Sequence, residues 1–281
     1  MTRSPLSGVE QAQRLWARNA GLHVDDRGYL LNVHQNLFGG LSDEVKAEFE
    51  QADGSELVDW DGRPAKMRAV ISSSALAVNV FQHWKLNDPA PIGRALGLPS
   101  AATDITFEQR MHTGAGGTPP NLDVVIKTSD GGIVGVECKF TEWMTRKTGQ
   151  AASMAPYFRG PETLWARANL PECERLAREM NDGKKAYQYL DGPQLLKHIL
   201  GLHKSGAPSL VLFYVWYEVH GEVADQHRSE LAAFSERIRS EVTFRSLSYQ
   251  QIGGALCAMK GLDSLYRDYI ASRYGLDEPA N

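Results

Sequence analysis

The sequence predicts an α/β fold in which a mixed β-sheet is flanked by helices, and three of its features point that way. Asn121–Phe140 contains two runs rich in Val and Ile, separated by the turn-prone Ser129-Asp130-Gly131-Gly132, which is the pattern of a β-hairpin. Ser209–Tyr217 is almost unbroken apolar sequence, as a strand covered on both faces requires. Around these runs, apolar residues recur at helical spacing, as in Leu231, Phe234 and Ile238.

From the N-terminus, Ser7 and Glu10 form a capping box ahead of Val9, Ala12, Leu15 and Trp16, predicting an amphipathic first helix. Residues up to 68 read as a helical arm with irregular turns. It includes Leu41–Glu50, an acid-rich surface helix capped by Ser42 with its charges in water. Ser74–Trp84 is apolar nearly all round, so it predicts a buried helix whose Asn79, Gln82 and His83 need partners in the core or at a cleft. Strands are expected near 105–111, 122–128 and 133–140, then a mostly helical insertion over about 145–205. Within it, Gly192-Pro193 opens a helix with Gln194, Lys197 and His198 on one face and Leu195, Leu196 and Ile199 on another. After the buried strand come the helix of Leu231, a strand over Val242–Leu247 and a C-terminal helix on Leu262, Leu265, Tyr266, Tyr269 and Ile270. With no repeat and no long linker, the expectation is one domain over 1–281: the arm to 68, a core over 69–250 and a C-terminal helix over 251–281.

Composition narrows the function classes. The 281 residues, 42% of them apolar, can bury a full core. No run approaches the ~20 apolar residues that span a bilayer, and Met1–Gly8 lacks the apolar centre of a secretion signal. Cys138, Cys173 and Cys257 have no CxxC spacing, which fits a reducing cytoplasm and argues against zinc. A net charge of −4 excludes a protein that coats nucleic acid by global charge, and HExxH, GxSxG and P-loop motifs are absent from the sequence.

The hairpin carries the chemistry. Asp123, Glu137 and Lys139 are embedded among Val, Ile and Phe, where an unpaired charge costs on the order of several kcal/mol. A three-residue loop Asp130-Gly131-Gly132, with Gly132 left-handed, puts Asp123 and Glu137 on one face with Lys139 near Asp123. A two-residue loop would separate the acids. Two converging carboxylates can hold a hard divalent cation, Mg²⁺ or Mn²⁺, with the Cys138 carbonyl and waters completing an oxygen shell. Lys139 would then place the nucleophile or donate to the transition state of phosphodiester hydrolysis. The bland alternative is a cross-strand Glu137–Lys139 salt bridge. Glu108 either adds a third carboxylate or pairs with Arg110, and Glu142 is either a supporting group or a loop charge. Arg146, Lys147 and Lys197, interleaved with Trp143, Tyr157 and Trp165, form either a phosphate-tracking surface or a solvated face.

This pattern resembles the PD-(D/E)XK nuclease superfamily, in its restriction-endonuclease-like branch. The resemblance rests on Ser72–Phe81, Phe107-Glu108, Pro120–Asp123, Glu137–Glu142 and Gln194–His198 in that order, and spans roughly residues 60 to 250. It implies a restriction-endonuclease-like αβββαβ core and a divalent-metal-dependent DNA endonuclease of restriction or defence type. Asp123 and Glu137 would be metal ligands with Glu108 and the Cys138 carbonyl, Lys139 the base, Gln194 on the phosphate or attacking water, and Lys197 on the DNA backbone. A double-strand cut adds the expectation of a homodimer. Two departures keep a catalytically inactive nucleic-acid-binding module open: Asn121 and Leu122 separate Pro120 from Asp123, and Asn79 stands where many relatives carry a metal-site Glu.

Overall fold

The computed structural model describes residues 4–52, 56–149 and 154–277. The helices α1 (Pro5–Asn19), α2 (Asp43–Gln51), α3 (Ser73–Leu86) and α4 (Ala90–Ala95) precede β1 (Ala102–Arg110), β2 (Asn121–Thr128) and β3 (Ile133–Lys139). Then follow α5 (Leu164–Arg167), α6 (Pro171–Asn181), α7 (Gly192–Lys204), β4 (Leu210–Trp216), α8 (Glu222–Ile238), β5 (Thr243–Ser248), α9 (Tyr249–Cys257) and α10 (Ser264–Tyr274). The five strands form one sheet in sequence order. β1, β2 and β3 pair antiparallel, while β4 joins β3 and β5 joins β4 in parallel. The sheet is therefore mixed, as the sequence predicts, because the short β2–β3 turn forces antiparallel pairing and the α7 and α8 crossovers permit parallel pairing.

Strand alternation divides the core in two. Val124, Ile126, Val134, Val136, Phe213 and Val215 face α3, α9 and α10. On the other side, Val125, Leu212, Tyr214 and Trp216 pack with residues of α6, α7 and α8. Gly135 has a specific task on this second face, since a Cβ there would meet Leu122 Cδ1 at 2.7 Å and Leu202 Cδ1 at 3.1 Å. Its bare backbone lets α7 lie close against β3. Among the described residues, no helix is long and apolar enough to cross a membrane.

Several local details differ from the sequence reading. The first helix starts earlier, with Ser4 rather than Ser7 as cap, its hydroxyl accepting from the Ser7 N–H at 3.3 Å. Pro5 in the first turn makes this start favourable. The β2–β3 loop is Ser129–Gly131: Thr128 N–H donates to Gly132 O at 3.0 Å, and Gly131 rather than Gly132 is left-handed, at φ 81°. Asp130 fixes this register by accepting from Ser100 and Thr128 hydroxyls and from the Gly132 N–H. Those donors hold its carboxyl down at about 2. The loop remains three residues long, so the same-face requirement survives the shift. In α2, Ser42 is the cap, but Glu44 and Glu48 are not merely solvated, because both pair with the nearly buried Lys85 at 2.8 and 3.0 Å. Leu265 is exposed, and α10 instead buries Tyr266, Ile270 and Tyr274. The single C-terminal helix expected over 251–281 is two, α9 and α10, and Ser248 and Gln251 form the capping box that opens α9.

The polar stripe of α3 turns into the core. Asn79 accepts from Phe38 N–H at 2.7 Å and donates to Asn36 O at 3.0 Å and the Tyr274 hydroxyl at 2.9 Å. Gln82 similarly binds Ser42 N–H and Gly40 O, and His83 stacks on Tyr266 with ring centroids 4.3 Å apart. Asn79→Ala strips buried groups of their partners, so it is expected to lower the unfolding free energy by about 1–3 kcal/mol. Urea denaturation measures this; an unchanged midpoint would refute the bridging role.

Candidate active site

The site forms where the β2–β3 ladder opens. Their pairing runs from Lys127 opposite Ile133 to Val124 opposite Val136, and Asp123 and Glu137 are the next residues on the two strands, just beyond the last pair. On the other side of β2, Phe107 opposes Val124 and Gln109 opposes Leu122, which sets Glu108 against Asp123. Glu137 in turn opposes Tyr214 on β4. Asp123 feels the charges of both Glu137 and Glu108, so the three acids lie together as a row across the ends of three strands.

At the opening, side chains take over the ladder's hydrogen bonds. The Cys138 N–H donates to Asp123 Oδ2 at 2.6 Å, and Ser73 Oγ donates to Cys138 O at 2.9 Å. Glu108 adopts φ 50°, a left-handed conformation costing about 1–3 kcal/mol for a non-glycine residue. Its carboxylate accepts from Asn121 Nδ2 at 3.3 Å. Burial, reinforced by Glu56 and by Glu137, pushes the Glu108 carboxyl up to about 7. Asp123 is also raised well above the ordinary range, by burial and then by Glu137.

Glu137 is 1% exposed yet stays ionised. Burial opposes its charge, but the Lys139 ammonium and the His198 ring beside it hold its carboxyl at about 2. Lys139 Nζ lies 2.5 Å from Oε1 and His198 Nε2 lies 2.9 Å from Oε2. Neither contact is aligned as a hydrogen bond, leaving both carboxylate oxygens without an oriented donor. Glu137 and Asp123 together drive the Lys139 pKa well above its ordinary value despite burial. Glu142 braces the end of β3 by accepting from the Phe140 and Thr141 N–H groups, both at 3.0 Å.

The remaining residues singled out from the sequence lie outside this row. Gln194 is half-buried in the first turn of α7, its own N–H donating to Asp191 Oδ1 at 3.0 Å. His198, one turn further on, is the α7 residue that reaches Glu137. Lys147 is half-buried at the rim, donating to Glu142 O at 3.2 Å, and burial together with the Lys139 charge lowers its pKa. Arg146 is exposed, and the Lys197 ammonium sits 5.9 Å from the Tyr157 ring centroid.

Residues 11–275 match the family described as restriction endonuclease associating with ARP. The chain belongs to this restriction-endonuclease family. No curated protein and no solved structure matches it. Two residues of this family member's site escaped the sequence reading. His198 lay on a recognised helix face, but nothing in the pattern said which polar group of that face would meet Glu137. Glu56 approaches Glu108 from an irregular segment, held by Ser74 Oγ at 2.9 Å and Lys66 Nζ at 3.0 Å, and carries no periodic signal at all.

The donor chemistry fits a hard divalent cation. After burial, Glu137 and Glu108 both raise the Asp123 carboxyl, and Asn121 Oδ1 and both Glu137 oxygens are buried without an oriented partner. Crowded acids with raised pKa values are relieved by a cation bound among them. The acids stand in a row rather than a closed shell: among the described residues no group of three or more His, Cys, Asp or Glu has metal-holding geometry.

This crowding has a measurable signature. An unfolded Glu108 releases its proton near pH 4.5, while the folded one keeps it to about 7. Its contribution to stability therefore falls as pH rises through that window. In EDTA, Glu108→Gln is expected to raise the unfolding free energy at pH 8 by on the order of 2 kcal/mol and to change it little at pH 4.5. Denaturant titrations at the two pH values would refute the crowding if the difference were equal at both.

Proposed function

We propose that this chain is a divalent-metal-dependent nuclease, a DNA endonuclease of restriction or defence type, working in the cytoplasm. The observation that carries the reading is the carboxylate row at the open end of β2 and β3, with Lys139 seated on Glu137. Asp123, Glu137, Glu108 and the Cys138 carbonyl are the ligands in this reading, and Mg²⁺ or Mn²⁺ held there would supply Lewis-acid activation of water and screening of the phosphate.

The protein's own groups do the rest. Lys139, kept as an ammonium by Glu137 and Asp123, donates to phosphoryl oxygens as charge builds on them. The same pairing makes it a poor base at neutral pH, so the donor role is the one we assign. His198 backs Glu137 from α7 and fixes its carboxylate, and Gln194 at the start of the same helix orients the phosphate or the attacking water. Lys147, Arg146 and Lys197 meet the DNA backbone at the rim. A homodimer would set two such sites across a duplex.

One observation favours a second reading, a nucleic-acid-binding module without catalysis: Glu137 is already engaged by Lys139 and His198. Cleavage of supercoiled plasmid and single-stranded DNA in Mg²⁺, Mn²⁺ and EDTA separates the two. The nuclease reading expects cutting by wild type that EDTA abolishes, and a loss of about two to four orders of magnitude in Asp123→Ala and Lys139→Met. His198→Ala is expected to lose about 10- to 100-fold, as groups that orient a metal ligand do. Binding without cutting under every metal would establish the module instead.

A further inference from the structure

One acid of the site's neighbourhood comes from outside the strands. Glu56 belongs to the N-terminal arm, and its carboxylate accepts from Ser74 Oγ at 2.9 Å. Ser74 adjoins Ser73 in the first turn of α3. Ser73 Oγ donates to Cys138 O at 2.9 Å, and the Cys138 N–H donates to Asp123 Oδ2 at 2.6 Å. Two adjacent serines and one backbone unit thus tie Glu56 to the open ends of β2 and β3. Its backbone is fixed as well, since Glu56 O accepts from the Met67 N–H at 3.0 Å. Beside Met67, the Lys66 ammonium pairs with Glu56 Oε1 at 3.0 Å.

Glu108 is what this pair faces. After burial, the Glu56 charge raises the Glu108 carboxyl more than Glu137 does, and the Lys66 charge lowers it. Glu56 therefore continues the row of acids beyond Glu108, with the Lys66 ammonium over that end as a counter-charge. Glu108 also lines an open cavity of about 320 Å³ with Thr106, Gln109 and Arg110, so solvent reaches this end of the row. At the other end Glu137 is fully buried, and neither of its oxygens has an oriented donor. A buried carboxylate in that condition retains capacity for a cation. The two partners of Glu56 differ in permanence. Its serine bond is part of the core helix, whereas the Lys66 side chain is 63% exposed, and a long stem rooted in water swings away without disturbing the core.

We propose that Glu56 is a further carboxylate of the divalent-cation site, contributed by the arm, and that Lys66 is the resident counter-ion which the cation displaces. A cation held by Glu108 and Asp123 recruits a carboxylate that Ser74 already keeps in place. The Lys66 ammonium competes for the same oxygen, Glu56 Oε1. Both cations seek carboxylate oxygen, and the doubly charged one gains more from it. The inference rests on the nuclease reading for its cation, but not for the reaction performed there.

The test is Mn²⁺ titration of the metal-free full chain, followed by the EPR signal of the free ion, in wild type, Glu56→Gln, Lys66→Met and the double variant. Glu56→Gln is expected to weaken Mn²⁺ binding by about 10- to 100-fold. Lys66→Met is expected to tighten it by about two- to fivefold, the strength of an exposed ion pair, and to change nothing once Glu56 is Gln. Urea midpoints in EDTA show whether each variant folds. If Glu56→Gln does not, Ser74→Ala takes its place, since it frees the carboxylate without removing the charge and should also weaken binding. Wild-type Mn²⁺ affinity in the folded Glu56→Gln or in its substitute, or a Lys66→Met effect that persists in the double variant, would overturn this proposal and leave Glu56 as a tether between arm and core. A wild type that binds no Mn²⁺ would overturn it together with the metal-dependent reading. The expected Mn²⁺ pattern without plasmid cleavage would remove the nuclease reading and keep Glu56 at the cation.

Discussion

A single buried anion organises this molecule. Glu137 is ionised in a position where water cannot reach it, and it stays so because Lys139 comes from its own strand and His198 from α7. Everything that brings those two groups into place becomes a condition on the sheet. Gly135, two residues earlier on the same face, gives up its side chain so that Leu202 can approach, and Leu202 stands one helical turn from His198. The bare glycine and the buried acid are two parts of one constraint, since a bulkier residue at 135 would lift α7 and draw His198 away from Glu137.

The opening between β2 and β3 is the second element of the design. Asp123 turns its carboxylate sideways to take the Cys138 N–H, and Ser73 takes the adjoining carbonyl. Backbone groups released by the splayed strands are thereby satisfied by side chains instead of by water. The geometry leaves the row of acids facing a gap in the sheet, and burial first, then the neighbouring acids, raise the carboxyls of Asp123 and Glu108.

Much of this was legible in the sequence, for physical reasons that also explain what was not. Hairpin and buried strands announce themselves through β-branched runs and turn residues, so the mixed sheet and the shared face of Asp123 and Glu137 could be read directly. The exact loop residues could not, because Gly131 and Gly132 are equally able to be left-handed and the choice falls to Asp130, whose partner Ser100 is distant in sequence. Asn79 read as a departure from a metal-site acid; its contacts with Phe38, Asn36 and Tyr274 instead make it a core bridge. His198 and Glu56 depend on how elements far apart in the chain are docked, which no local pattern encodes.

Arg273 shows what such docking implies. Among the described residues its buried guanidinium pairs with no carboxylate and is held by Gln13 Oε1 at 3.1 Å, by Asn36 O at 2.7 Å and by the face of Trp16 at 4.1 Å. Gln13 returns a bond to Arg273 O at 2.9 Å, across a separation of 260 residues. Next to it, Tyr274 donates no support to the first helices until α10 has formed, yet its hydroxyl is one of the three partners of Asn79 on α3, the helix whose first turn supplies Ser73 and Ser74 to the site. During synthesis the acids therefore wait for their scaffold: the β2–β3 hairpin is made well before α10, yet the wall behind it is complete only once α10 has emerged and docked.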